Sequence, residues 1–201
     1  MTRHHLLSAC TVLLISSVAF ASALKHRPGP IAWAETAGAK GALSTELFTD
    51  KDYFAIQALK LWEFDHRTCS LQLEQGSLNA PGSTVLNAVK ICEPKLTQDW
   101  KRADVGANQF VTGVAVCTAK GKDAGPELHG VELWGSSLAD NGKLKASKKS
   151  VRLVFPKCEK WSPKRSCPAD SVAVALRAYG NDPESGAVGL ELGCRAIDAV
   201  P

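Results

Sequence analysis

The sequence has no long apolar run after residue 23, no Cys-x-x-Cys or His-x3-His spacing, no Gly-x-Ser-x-Gly, and no stretch with a sustained 3.6-residue period and caps. Each absence removes a class. Without a further apolar run of about 20 residues, no later segment can cross a membrane as a helix. Without the paired Cys and His spacings, a zinc site lacks its ligand pattern, and neither metal nor cofactor is expected. Asp65-His66 is the only Asp-His pair, and it has no positioned Ser or Cys to activate, so Asp65-His66-Arg67 reads as a polar turn. Charge of one sign is also scarce. The 24 Lys plus Arg against 20 Asp plus Glu leave a net +4, too mild to imply a specific nucleic-acid partner.

What is present begins with Arg3-His4-His5, an apolar run from Leu6 to Phe20, and Ala21-Ser22-Ala23. A basic start, an apolar core and a small-residue cleavage site read as a secretory signal peptide over residues 1–23, cut after Ala23 or, second, after Ala21. The expected location is extracellular or periplasmic. Cys10 leaves with that segment, and Cys69, Cys92, Cys117, Cys158, Cys167 and Cys194 remain. An even number in an exported chain favours three disulfides. Fifteen pairings are possible and the sequence does not choose among them; the sequential pairing (69 with 92, 117 with 158, 167 with 194) is the one carried forward.

The rest is organised by a short repeated form: a small residue, an apolar one, a third that is mostly polar, then an apolar one again. It occurs as Ala58-Leu59-Lys60-Leu61, Ser70-Leu71-Gln72-Leu73, Ala88-Val89-Lys90-Ile91 and Gly113-Val114-Ala115-Val116. It returns as Gly130-Val131-Glu132-Leu133, Ser150-Val151-Arg152-Leu153, Ala175-Leu176-Arg177-Ala178 and Gly189-Leu190-Glu191-Leu192. Side chains two apart share one face of a strand, so each tetrad is a half-buried strand. Hairpins are expected over 54–74, 110–135 and 172–194. The small leading residues suit either a close backbone approach or merely an exposed surface. Residues 24–50, broken by Pro28-Gly29-Pro30 and rich in Ala and Gly, read as a flexible leader before a single all-β domain over 51–201.

Laid out this way, Trp161-Ser162, Cys167-Pro168, Val174-Ala175-Leu176-Arg177 and Val188-Gly189-Leu190-Glu191-Leu192-Gly193-Cys194 resemble the exported β-prism repeat proteins, notably the vitelline membrane outer layer family. Jacalin-like lectin domains are the more distant comparison. The resemblance implies an antiparallel, disulfide-stapled, non-catalytic fold with carbohydrate affinity, and it fixes no ligand residue. Eight tetrads are fewer strands than a full prism holds, so an eight-stranded sandwich or barrel stays open beside it.

Candidate ligand residues are aromatic and polar. Trp62, Trp134 and Tyr179 follow their tetrads on the face opposite the apolar pair, where they are either outward plates for sugar stacking or a second buried layer. Asn181 and Asp182, in the loop Gly180–Gly186, would supply the hydrogen-bonding rim. Residues 143–165 hold nine cations against Glu159 alone. Lys143, Lys145, Lys148, Lys149 and Arg152 form a candidate patch for an anionic cell-surface polymer, or a solvated edge that blocks sheet aggregation. Paired carboxylates (Asp182/Glu184, Asp123/Glu127) sit in turns where acids are ordinary, so no catalytic residue is assigned. The expected function is non-catalytic binding of an extracellular ligand, with carbohydrate first. A self-assembling envelope or matrix protein, and a hydrolase or inhibitor acting on envelope polymers, are the alternatives. The oligomeric state is not legible.

Overall fold

A computed structural model describes residues 23–64, 67–86, 88–92, 100–121, 125–145, 147, 149–183 and 185–200. The signal-peptide reading falls almost wholly outside these residues, as do Asp65, His66, Asp123, Lys148 and Glu184. The described residues contain sixteen strands and no helix.

Three long hairpins carry the fold. They are β5 (Phe54–Phe64) with β6 (Arg67–Ser77), β10 (Phe110–Lys120) with β11 (Pro126–Ser136), and β15 (Ser171–Gly180) with β16 (Ala187–Val200). Each is the centre of its own antiparallel sheet. Leu59 faces Leu73, Val114 faces Leu133 and Leu176 faces Leu192 across their hairpins. All six are at most 2% exposed and meet in one core. Three sheets closed around a common dry centre form a three-sided prism, which excludes the sandwich and barrel alternatives. Each hairpin slips register twice: just before its first tetrad (Ile56/Ala58, Val111/Gly113, Ala173/Ala175) and again near its turn (Trp62/Glu63, Cys117/Thr118, Tyr179/Gly180). Such bulges add local twist and let a sheet curl around a core.

The first sheet adds β7 (Ser83–Val85) and β8 (Val89–Lys90) on β6, and β9 (Trp100–Asp104) on β5. The second adds β12 (Ser150–Val154) on β11, and the short β13 (Lys160–Trp161) and β14 (Arg165–Ser166) on β10. The third sheet corrects the sequence reading of a flexible leader. β1 (Ala23–His26), β2 (Ala32–Trp33) and β3 (Ala37–Gly38) all pair with β16, and β4 (Leu43–Phe48) pairs with β15. Residues 23–48 are therefore part of the domain, and Ala37 lies fully buried in the core.

The glycines explain how this segment fits. A Cβ on Gly193 would lie 2.7 Å from Ile31 and 3.1 Å from Trp33, and one on Gly189 would overlap the backbone of Ala39. Gly189, which heads the last repeat, and Gly193, which follows it, therefore serve close approach. All three disulfides follow the sequential pairing, with Cα separations of 4.9, 5.7 and 5.6 Å. Closing loops of 23, 41 and 27 residues, each restricts the unfolded chain by about 3–4 kcal/mol.

Candidate functional site at the turn end

The described residues flanking the turns of the three hairpins meet at one end of the prism. Thr68 Oγ1 at the start of β6 donates to the Leu128 carbonyl of β11 at 3.0 Å, and Gly186 packs against Arg67. Between the second and third turns lies a cavity of about 240 Å³ lined by Gly121, Gly125, Pro126, Glu127, Asn181, Asp182 and Ser185.

Its walls are held from below. The Ser185 amide donates to Asp182 Oδ1 at 2.7 Å, and the Asp182 amide donates to Ser185 Oγ at 3.1 Å, which fixes the 182–185 turn reciprocally. The Gly121 amide donates to the Gly125 carbonyl at 2.7 Å and closes the facing turn. The two glycines leave that wall room for neighbouring side chains. A Cβ on Gly121 would meet the Glu127 carboxyl group at 2.6 Å, and one on Gly125 would come within 3.2 Å of Asn181 Nδ2. Glu127, with a side chain 12% exposed, lies 3.5 Å from Arg67 and 3.9 Å from His129 Nε2. His129 is itself buried and donates through Nδ1 to the Pro156 carbonyl at 2.9 Å.

The cavity thus presents an amide, a hydroxyl, two carboxylates and turn backbone over a rigid floor. It has hydrogen-bonding groups of both senses and no aromatic plate. Such a lining can both donate hydrogen bonds to a small polar ligand and accept them from it. Among the described residues no His/Cys/Asp/Glu grouping could hold a metal ion.

The other predicted ligand residues lie elsewhere, one on each sheet. Trp62 is only 4% exposed, packed with the Cys69–Cys92 bridge and Phe64 and 6.4 Å from the Trp100 ring. It belongs to a second buried layer and is no outward plate. Tyr179 is also buried, and its hydroxyl donates to Glu191 at 2.8 Å. Trp134 is half-buried, with Lys164 Nζ 4.9 Å from its ring centroid. Asn181 and Asp182 are the two predicted residues that line the turn-end cavity. Gly121, Gly125 and Ser185 were missed there. Their only signal was that both hairpin loops are rich in small turn residues.

The cationic residues Lys143, Lys145, Lys149 and Arg152 are all exposed. Arg152 lies on the outer face of the second sheet, where Nε donates to the buried Glu132 at 2.8 Å and the guanidinium lies 5.0 Å from the Trp161 ring centroid.

No protein-family model matches the chain, and no curated protein matches it in sequence. Solved structures do match its fold. The agglutinin of Calystegia sepium aligns at 10% identity and a TM-score of 0.57, over 84% of this chain and 98% of that one. The Calsepa lectin in complex with a biantennary N-glycan aligns at 9% identity and 0.58, over 85% and 99%. The same lectin with a bisected glycan aligns at 10% and 0.53, over 83% and 98%. At such identities the fold is what is shared: this chain has the β-prism architecture of these structures.

Proposed function

We propose that the protein is an exported, non-catalytic carbohydrate-binding protein that holds a neutral sugar at the turn end of its prism. The observation that carries this reading is the cavity between the second and third hairpin turns. There Asn181, Asp182, Ser185 and Glu127 converge over glycine-lined backbone on a scaffold shared with lectins solved with glycans bound.

The chemistry fits. A sugar hydroxyl both donates and accepts, so it pairs with a carboxylate on one side and an amide or hydroxyl on the other. Reciprocal bonding of Asp182 and Ser185 holds the rim in place before the ligand arrives, which lowers the ordering cost of binding. Export is supported by three disulfides, which persist in oxidising compartments, and by the amino-terminal signal pattern.

The test is a glycan array probed with the wild-type protein and with Asn181→Ala. A discrete set of neutral glycans should bind wild type. The variant should bind them about 5- to 10-fold more weakly, the loss expected for one hydrogen bond to a neutral partner. Wild-type protein that binds no glycan, or a variant that binds equally well, would remove the proposal.

A further inference from the structure

A different face of the molecule carries an independent reading. The outer surface of the second sheet is built from cations laid over indole rings. Arg152, on β12, is paired to Glu132 of β11 and lies 5.0 Å from the ring of Trp161 on β13, at the opposite margin of the sheet. Lys164 packs over Gly113, where a Cβ would come within 2.7 Å of its Cε, and ends 4.9 Å from the ring of Trp134. The small residues Gly113 and Ala115 of β10 leave room for these long side chains. Lys149, Lys157 and Lys160, on the segments that edge this face, are exposed, and no ion pair forms to them among the described residues.

We infer that this face binds an acidic polysaccharide, a polymer of uronate or sulfated sugars. Each indole is capped by a cation, so the face offers positive charge backed by apolar plates rather than open plates for neutral stacking. A chain that alternates anionic groups with the apolar faces of sugar rings is complementary to that arrangement. A lipid surface is matched less well, because among the described residues only Val154 is an exposed large apolar side chain on this sheet. The site is separate from the turn-end cavity and does not depend on it, since none of these residues lines that cavity.

The experiment measures binding of the full chain to polygalacturonate, to its fully methyl-esterified form, to vesicles of equimolar phosphatidylcholine and phosphatidylserine, and to duplex DNA. Polygalacturonate should bind at low salt and weaken by at least ~10-fold between about 50 and 500 mM NaCl, as screening requires. The uncharged ester should not bind. Lys160→Glu/Lys164→Glu should weaken polygalacturonate binding by roughly 10-fold or more. Lys164→Met, which keeps the apolar stem over Trp134 but drops the charge, should weaken it about 3-fold with an unchanged melting temperature. Binding that survives esterification or charge reversal would overturn the inference. So would vesicles or DNA binding as tightly as polygalacturonate. Neutral-glycan binding should be the same in both lysine variants, so a failure here is distinguishable from a failure at the turn-end cavity.

Discussion

Arg177 and Glu191 stand directly opposite each other in the register of β15 and β16, and Arg177 Nη1 donates to the Glu191 carboxylate at 2.8 Å. The pair ties the amino-terminal segment to the last hairpin. Thr36 donates to Glu191 at 2.6 Å, Lys40 lies 3.2 Å from it, and the Arg177 guanidinium sits 3.9 Å from the Trp33 ring centroid. On its other side Arg177 reaches Glu46 of β4. A carboxylate 4% exposed is thus satisfied by two side chains of β15, Arg177 and Tyr179, and by two from the segment beside β3, Thr36 and Lys40.

Removing that carboxylate should loosen residues 32–40. Glu191→Ala leaves Arg177 and Tyr179 without their shared acceptor, at a cost of about 2–4 kcal/mol. For a chain of this size the melting temperature should fall by roughly 5–15 °C. Thermal melts would check it, and a shift under a degree would count against the network's role.

Gly189 should be equally intolerant for a steric reason. Gly189→Val places its side chain in the path of the Ala39 backbone and pushes β3 away from β16. We expect a loss of about 1–3 kcal/mol, as for other overpacked sites, and new protease cleavage between residues 31 and 42. Limited proteolysis with mass mapping reads this directly. Cleavage there in wild type at the same rate would restore the flexible-leader picture.

The disulfide spanning the longest loop should matter most. Cys117→Ala/Cys158→Ala opens a 41-residue loop and should cost about 4 kcal/mol through the unfolded state. Cys69→Ala/Cys92→Ala should cost slightly less by the same reasoning, although it also uncovers Trp62. Denaturant midpoints of the two variants would rank them.

Acid should destabilise the protein in two stages. Burial holds the His26 imidazole below its ordinary value of 6.5, with Arg195 acting the same way and the Phe54 carbonyl and Asp52 opposing. The folded chain therefore resists a proton that the unfolded chain accepts, so stability is full above about pH 6.5 and declines as pH falls below it. Glu74 and Glu191 lie below the ordinary carboxylate range despite burial, because Arg102 and Lys60 hold the first, and Thr36, Tyr179 and Lys40 hold the second. Their contribution is fully present above about pH 4.5 and disappears as pH drops further. Melting temperature against pH should show both declines, and His26→Gln should remove only the upper one. A flat wild-type profile between pH 7 and 5 would contradict this.

Much of the architecture was legible because it is local. Every tetrad overlaps a strand, since alternation needs only four neighbouring residues, and the three hairpins follow from turns between tetrads. The disulfides were less legible: the sequence left fifteen pairings open, and the sequential one carried forward is the one the fold forms. Residues 23–48 were not legible for the opposite reason. Their strands are two to six residues long, and their partners lie more than 120 residues away in β15 and β16. For Trp62 the sequence left an outward plate and a second buried layer both open, because alternation gives a face but not what covers it. The covering layer here is a bridge from Cys69 to Cys92 and the ring of Trp100. At the candidate site, Asn181 and Asp182 could be named from one loop, whereas Gly121, Gly125 and Ser185 acquire meaning only once two turns share a cavity.

The most direct measurement is a two-dimensional amide NMR titration with a neutral oligosaccharide chosen from the array. Binding at the turn end predicts saturable shifts confined to residues 121–127 and 181–186 and their neighbours at 67–68. Shifts centred instead on Trp134 and Trp161, or no saturable shifts at all, would contradict it.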